Sequence, residues 1–323
     1  MPPLYPLRFE PFYKRYLWGG RRLETVLGKQ LPDGNDFAES WEVVDHGANQ
    51  SRVAAGPLQG KTLGELTAGY GSRLLGPGYP TSRFPLLFKF LDSSKVLSVQ
   101  VHPDDEAAST LNPPDLGKTE AWLVLHAEPG AYVYAGLERG LNRQSLEQEL
   151  RRGGIEECLH QVQPAVGDCL FIPAGVVHAL GPGFVIAEIQ QASNTTYRLH
   201  DWNRLDSDGK PRQLHIEESL SAIDYDHGPV IPQTPRALDQ QNGERLVACD
   251  KFVLDRWRIE SARLHGGDRR FHIVSVLEGA IEVTGDATEQ PLGKGQTILI
   301  PADCGPTKLT PIQPTVLIDM YLP

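Results

Sequence analysis

Cysteine is scarce in this sequence: Cys158, Cys169, Cys249 and Cys304 are the only four in 323 residues, and no two form a C-x-x-C pair. That excludes a disulfide scaffold, and we read all four as free, mostly buried thiols. Long apolar runs are also missing. No stretch is long enough to span a bilayer, and MPPLYPLRFEPFYKRYLWGG at the start lacks the apolar core of a secretory leader, so a cytoplasmic protein is expected. Positive charge is neither abundant nor clustered. With a net charge of -10 and its Lys and Arg dispersed, the chain is expected to bind neither nucleic acid nor an anionic membrane. A small anion held in a local basic pocket remains compatible with that balance. Nothing in the composition bears on oligomeric state.

What is present is mainly β. Short runs such as PLLFKFL, AWLVLHA, DCLFIPA and FVIAEIQ recur between Gly and Pro punctuation, the pattern of a sandwich or barrel. Helical signals are few and peripheral. TLGELTAGYGSRLLG carries Thr62 and Glu65 at capping-box spacing, NRQSLEQELRRGG runs from an Asn142 cap to a Gly153-Gly154 stop, and QLHIEESLSAID closes the first part. The prolines of DHGPVIPQTPRALDQ, Asp226 to Gln240, mark a linker. The expected division is a domain over 1–225, a linker over 226–240 and a second β-domain over 241–323.

The two parts share a short internal repeat. VGDCLFIPAGVVH, ending at His178, aligns with KGQTILIPADCGP, ending at Pro306. Gly175 is replaced by Asp303 and His178 by Pro306, so the second copy is expected to keep the turn and lose the histidine, leaving the chemistry to the first part.

In VLSVQVHPDD, strand alternation projects Gln100 and His102 from one face and Val99 and Val101 from the other, until Pro103 stops the ladder. In LGKTEAWLVLHA the same alternation puts Lys118, Glu120, Trp122 and Val124 on one face. A carboxylate entering so apolar a strand needs a cation, a metal or a hydrogen-bond network. His178 follows the turn at Pro173 and Gly175. One amide oxygen, two imidazoles and one carboxylate suit zinc or another divalent first-row metal with a position open for water or substrate.

Taken in order, ESWEVVDH, LSVQVHPDD, GKTEAW, PAGVVHALG and TTYRLHDWNR resemble type I mannose-6-phosphate isomerase in its short bacterial form, a cupin family. The resemblance runs from about Trp18 to Ser221, with a degenerate second cupin after the linker. It implies an all-β protein of two cupin (jelly-roll) β-barrels with a few peripheral helices, one zinc ion per chain, and interconversion of mannose 6-phosphate and fructose 6-phosphate through an enediolate. The zinc ligands it implies are Gln100, His102, Glu120 and His178. Arg198 falls at the catalytic arginine, Lys118 reaches into the same pocket, and Lys89 and Ser98 fall where the family contacts the substrate phosphate. Glu188, in FVIAEIQQ, is either a proton carrier or a partner to a ligand histidine. Longer members have a histidine where this chain has Gly117, so a mechanism using that histidine does not apply. They also insert a helical domain that is absent here. The alternatives are a cupin metal-dependent oxygenase, or an isomerase acting on unphosphorylated mannose or another aldose.

Overall fold

The computed structural model describes residues 1–206, 208–239 and 242–323. The first barrel is built from β1 (Phe12–Gly20), β2 (Phe37–Val43), β3 (Leu86–Ser93), β4 (Val99–Val101), β5 (Glu120–Ala127), β6 (Val133–Leu137), β7 (Leu159–Val162), β8 (Cys169–Ile172), β9 (His178–Leu180), β10 (Phe184–Gln191) and β11 (Tyr197–His200). They form a six-stranded sheet ordered β8-β5-β10-β3-β2-β1 and a five-stranded sheet ordered β7-β6-β9-β4-β11. The second barrel comprises β12 (Arg236–Ala237), β13 (Gly243–Ala248), β14 (Val253–Ile259), β15 (Arg263–His265), β16 (His272–Glu278), β17 (Ala280–Val283), β18 (Leu292–Gly293), β19 (Thr297–Ile300), β20 (Thr307–Pro311) and β21 (Thr315–Tyr321). Its sheets run β19-β16-β21-β14-β13-β12 and β18-β17-β20-β15. The all-β, two-barrel expectation holds.

Side-chain alternation assigns each strand face a different neighbour. On the six-stranded sheet of the first barrel, Leu91, Trp122, Val124 and Ile186 point inward and meet Leu97, Val133 and Leu180 of the five-stranded sheet. The opposite face carries Phe88, Phe90, Leu123, Ala187 and Ile189, which pack on Leu254, Ile273, Ile318 and Met320 of the second barrel in one continuous core. The two large sheets are therefore back to back, and Phe84 packs against Phe271 with tilted rings, their centroids 4.7 Å apart. Burial on both faces is why PLLFKFL reads as an almost unbroken apolar run.

The outer face of the five-stranded sheet is covered by helices. Val99, Val101, Tyr134 and Leu199 pack with Leu146 and Leu220, from helices at Arg143–Arg152 and Ile216–Ala222. The expected caps are in place: Thr62 and Glu65 close a capping box on Leu63–Tyr70, and Asn142 and Gly153 bound Arg143–Arg152. No helix among the described residues is long and apolar enough to cross a membrane.

Chain segments outside the barrels tie them together. The backbone of Leu7 exchanges hydrogen bonds of 2.8 and 2.9 Å with Leu299, so the start of the chain extends the β19 edge of the second barrel. The proline-rich segment lies against the first barrel, with Val230 N–H donating to Ala135 and Gln233 N–H to Cys169. Its last expected residue, Gln240, lies outside the described residues. The repeated turn changes between copies. Gly175 has φ of 86°, whereas residues 302–304 form one turn of 3-10 helix and the positive φ passes to Gly305. Asp303 accordingly stands where no left-handed residue is needed.

Candidate metal centre and active site

The candidate ligand residues enter the first barrel from both sheets. Gln100 and His102 come from β4 and the turn after it, His178 opens β9, and Glu120 opens β5 on the opposite sheet. Gln100 and His178 are directly paired across β4 and β9, and Arg198 on β11 faces Gln100 from the other side. Backbone contacts fix the approach: Gly175 N–H donates to the His102 carbonyl, and Lys118 N–H donates to Pro103.

At the centre, His102 Nε2 lies 3.5 Å from Glu120 Oε2, and His178 Nε2 lies 3.3 Å from Glu120 Oε1. The Gln100 amide approaches His178 Nε2 at 3.2 Å, and rotating that amide exchanges Oε1 for Nε2 at the same place. His102 Nδ1 donates to the Thr195 carbonyl and His178 Nδ1 to the Val176 carbonyl, which leaves both Nε2 lone pairs facing Glu120. Backbone acceptors behind imidazoles are the usual device for orienting metal-bound histidine. Trp122 packs its edge against His178 at 5.3 Å and 83°.

The donors fit a metal ion on an observation independent of family. Glu120, His102 and His178 are at most 1 % exposed, and both Glu120 oxygens are buried without a hydrogen bond, Oε2 meeting the Lys118 ammonium at 3.1 Å and Oε1 facing only the His178 ring. Orphaned carboxylate oxygens are costly in a protein interior unless a cation meets them. Burial, aided by Lys118 and His178, holds His102 well below its ordinary pKa; burial lowers His178 to about 4. Both rings are therefore neutral ligands near neutral pH. The second group of converging donors among the described residues, His265, His272 and Asp319, lies in the second barrel.

Lys118 is at the centre, its Nζ 3.1 Å from both Glu120 Oε2 and His102 Nε2. Glu188, on β10, is buried, and burial followed by the Glu120 charge raises its pKa against the pull of Lys89. Lys89 is enclosed by carboxylates, with Glu188 at 3.2 Å and Glu39 at 3.1 Å, and lies only 6 % exposed. Burial disfavours its charge, but Glu188, Glu39 and Glu120 outweigh that and hold its pKa well above the ordinary lysine range. Ser98 is buried at the entry to β4. Arg198 is half-buried, and its Nη1 donates to the Gln213 carbonyl.

Residues 7–132 match the phosphomannose isomerase type I catalytic domain, and residues 242–312 match the mannose-6-phosphate isomerase cupin domain. The Bacillus subtilis protein named mannose-6-phosphate isomerase ManA is 34% identical over 308 residues, covering 94% of this chain and 95% of that protein. A Streptococcus mutans mannose-6-phosphate isomerase is 35% identical over 298 residues, 92% of each chain. A crystal structure of the Bacillus subtilis mannose 6-phosphate isomerase superposes with a TM-score of 0.90 at 30% identity, covering 99% of this chain and 100% of that one. The chain belongs to the type I mannose-6-phosphate isomerase family.

Three features of this family member escaped sequence reasoning. Glu39, in ESWEVVDH, was given no role of its own, yet it accepts from Lys89 and from Trp41 Nε1 at 2.6 Å and so reaches Glu188 through one ammonium. Asp115 accepts from Arg83, Ser193 and Thr195 and contacts His46, pinning the segment whose Thr195 carbonyl orients His102. The adjacent threonines of TTYRLHD were its visible signal. The departure at Gly117 also has a physical reason: a Cβ there would lie 2.6 Å from the backbone of Asp104 and Asp105. No histidine fits that approach without moving the loop that carries Lys118.

Proposed function

We propose that this chain interconverts mannose 6-phosphate and fructose 6-phosphate using a zinc ion held by Gln100, His102, Glu120 and His178. The observation that carries the reading is the buried convergence of two neutral imidazoles and an amide on a carboxylate whose oxygens have no hydrogen bond. Two nitrogens with two oxygen donors form a set suited to zinc.

Aldose–ketose exchange moves a proton between C1 and C2, and its difficulty is the charge that builds on an enediolate oxygen. When bound, the ion would supply Lewis-acid stabilisation of that charge. The chain's own groups perform the remaining tasks. Glu188 carries the proton: burial favours its acid form while Lys89, 3.2 Å away, keeps the carboxylate within reach. Lys118 sets a fixed positive charge beside the ligands, where the oxyanion develops. Arg198, one strand from Gln100, offers a permanently charged fork to the substrate, and with Ser98 it is assigned to the phosphate end. We assign Lys89 to Glu188 in place of the phosphate, because its ammonium is already taken by two carboxylates. A sugar-phosphate substrate also accords with a cytoplasmic setting.

The test is turnover of mannose 6-phosphate by metal-stripped protein before and after zinc is restored. Zinc-dependent formation of fructose 6-phosphate, lost in His178→Ala, is expected. Folded, zinc-loaded protein that leaves mannose 6-phosphate untouched would overturn the substrate; turnover of free mannose alone would overturn the phosphate contacts.

A further inference from the structure

The second barrel retains a buried polar centre at the address of the first. In the large sheets, β19, β16, β21 and β14 occupy the places of β8, β5, β10 and β3. The repeat aligns Ile172 with Ile300. Ile172 pairs with Glu120 across β8 and β5, and Ile300 pairs with His272 across β19 and β16. His272 therefore stands where the first barrel has Glu120. Two residues further along, Trp122 faces Glu188, and correspondingly Val274 faces Asp319. Asp319 thus takes the place of Glu188. His265 ends β15, the counterpart of β4 in the small sheet. Only the histidine of the repeated turn was lost; the interior of the barrel is not without histidine.

These groups converge as donors. His265 Nε2 lies 3.0 Å from Asp319 Oδ2, and His272 Nδ1 lies 2.9 Å from the same oxygen. The ring centroids are 5.1 Å apart, and all three residues are buried. His265 Nε2 has no hydrogen bond although it is aimed into the cluster. On its far side, His272 Nε2 is 3.0 Å from Asp268 Oδ1, which repeats with a carboxylate what Thr195 and Val176 do for His102 and His178. Arg270 holds Asp268 from outside at 2.9 Å, so Asp268 is an orienting group and not a fourth donor. Without an ion the same groups form a buried ion pair, in which Asp319 and Asp268 raise the pKa of His272 to about 10 against its burial and His265 Nε2 contacts Asp319.

We propose that His265, His272 and Asp319 bind a second divalent first-row metal ion, with Asp268 orienting His272. Two imidazoles and a carboxylate oxygen are the donors such ions take, and nitrogen–oxygen separations near 3 Å are those of ligands each about 2.1 Å from one ion. Because His265 comes from the small sheet and the other two from the large sheet, the ion clamps the barrel shut. The chain would then hold two ions in place of the one implied by its family resemblance.

The experiment is the zinc content of the full chain after equilibration with excess zinc and removal of the unbound ion. Two equivalents are expected for the unmodified protein, one for His265→Ala, one for His178→Ala and none for the double variant. Cadmium-113 NMR of the unmodified protein, which requires no variant to fold, should give two resonances. A zinc content or a set of cadmium resonances that is the same in the unmodified protein and in folded His265→Ala overturns the proposal, as does a His178→Ala protein that holds no zinc. The count does not depend on sugar turnover, so it stands or falls apart from the proposed reaction.

Discussion

Replacing Lys89 by methionine removes the one ammonium between Glu39 and Glu188 while keeping a similar apolar volume. All three side chains are at least nine-tenths buried, and the nitrogen lies 3.1 and 3.2 Å from the two carboxylates. At an effective dielectric of about 20, each contact is worth roughly 5 kcal/mol in Coulomb energy, and desolvation cancels much of it. Deleting one partner of a buried pair leaves the other charge unsolvated, which typically costs about 3–5 kcal/mol. Lys89→Met should therefore lower unfolding stability in urea by about that amount, measured on metal-loaded protein. Changing Glu39 and Glu188 to glutamine in the same chain should recover most of the loss, since no buried charge then lacks a partner. A loss below about 1 kcal/mol would mean that the ammonium does not balance these carboxylates, and would return Lys89 to the substrate phosphate.

Other perturbations probe the supports of the centre. Asp115→Asn weakens the tie on the Thr195 segment and should raise the zinc dissociation constant about tenfold in chelator competition, the lower end for outer-sphere partners. Trp122→Ala leaves a cavity beside His178 and should cost about 3–5 kcal/mol in urea unfolding. Gly117→Ala drives a Cβ into the Asp104–Asp105 backbone and should reduce kcat by displacing Lys118, with β5 still folded by circular dichroism. Acid should destabilise the metal-stripped protein in particular. His178 has a native pKa of about 4 against about 6.5 unfolded, so below 6.5 the unfolded chain takes up a proton that the native state refuses. Its contribution is present above pH 6.5 and lost as pH falls toward 4, about 3 kcal/mol in all. A urea midpoint that does not change across that window would refute the depressed pKa.

The convergence of the candidate ligands was legible because strand alternation operates within a few residues: Gln100 with His102, and Lys118 with Glu120, share faces by period alone. Glu39 was missed for the opposite reason. Its partner Lys89 is fifty positions away, and only the pairing of β2 with β3 brings them together. The buried histidines of the second barrel were missed because they lie outside the repeated motif. Alignment at the repeated turn registers the exchange of His178 for Pro306, but it cannot relate His272 to Glu120, because unequal insertions separate them from the shared Ile-Pro-Ala.

Ladder register recovers that relation, and the same partition of faces explains why both centres lie where they do. Each large sheet turns one alternate set of residues, Phe88 and Phe90 on β3, Leu123 on β5 and Ala187 and Ile189 on β10, or their counterparts Ile273, Ile318 and Met320, toward the other barrel. Outward-facing positions are thereby committed to a dry interface between barrels, where an unpaired charge would have no water and no partner. Polar chemistry can enter only on the alternate positions, facing the small sheet, whose outer side is in turn sealed by helices in the first barrel. Lys89, Glu120 and Glu188 in one barrel and His272 and Asp319 in the other occupy those inward positions. A one-residue slip of β5 would exchange Glu120 for Ala121 and place the carboxylate in the inter-barrel core, so the register that holds the two barrels together is the register that builds the centre.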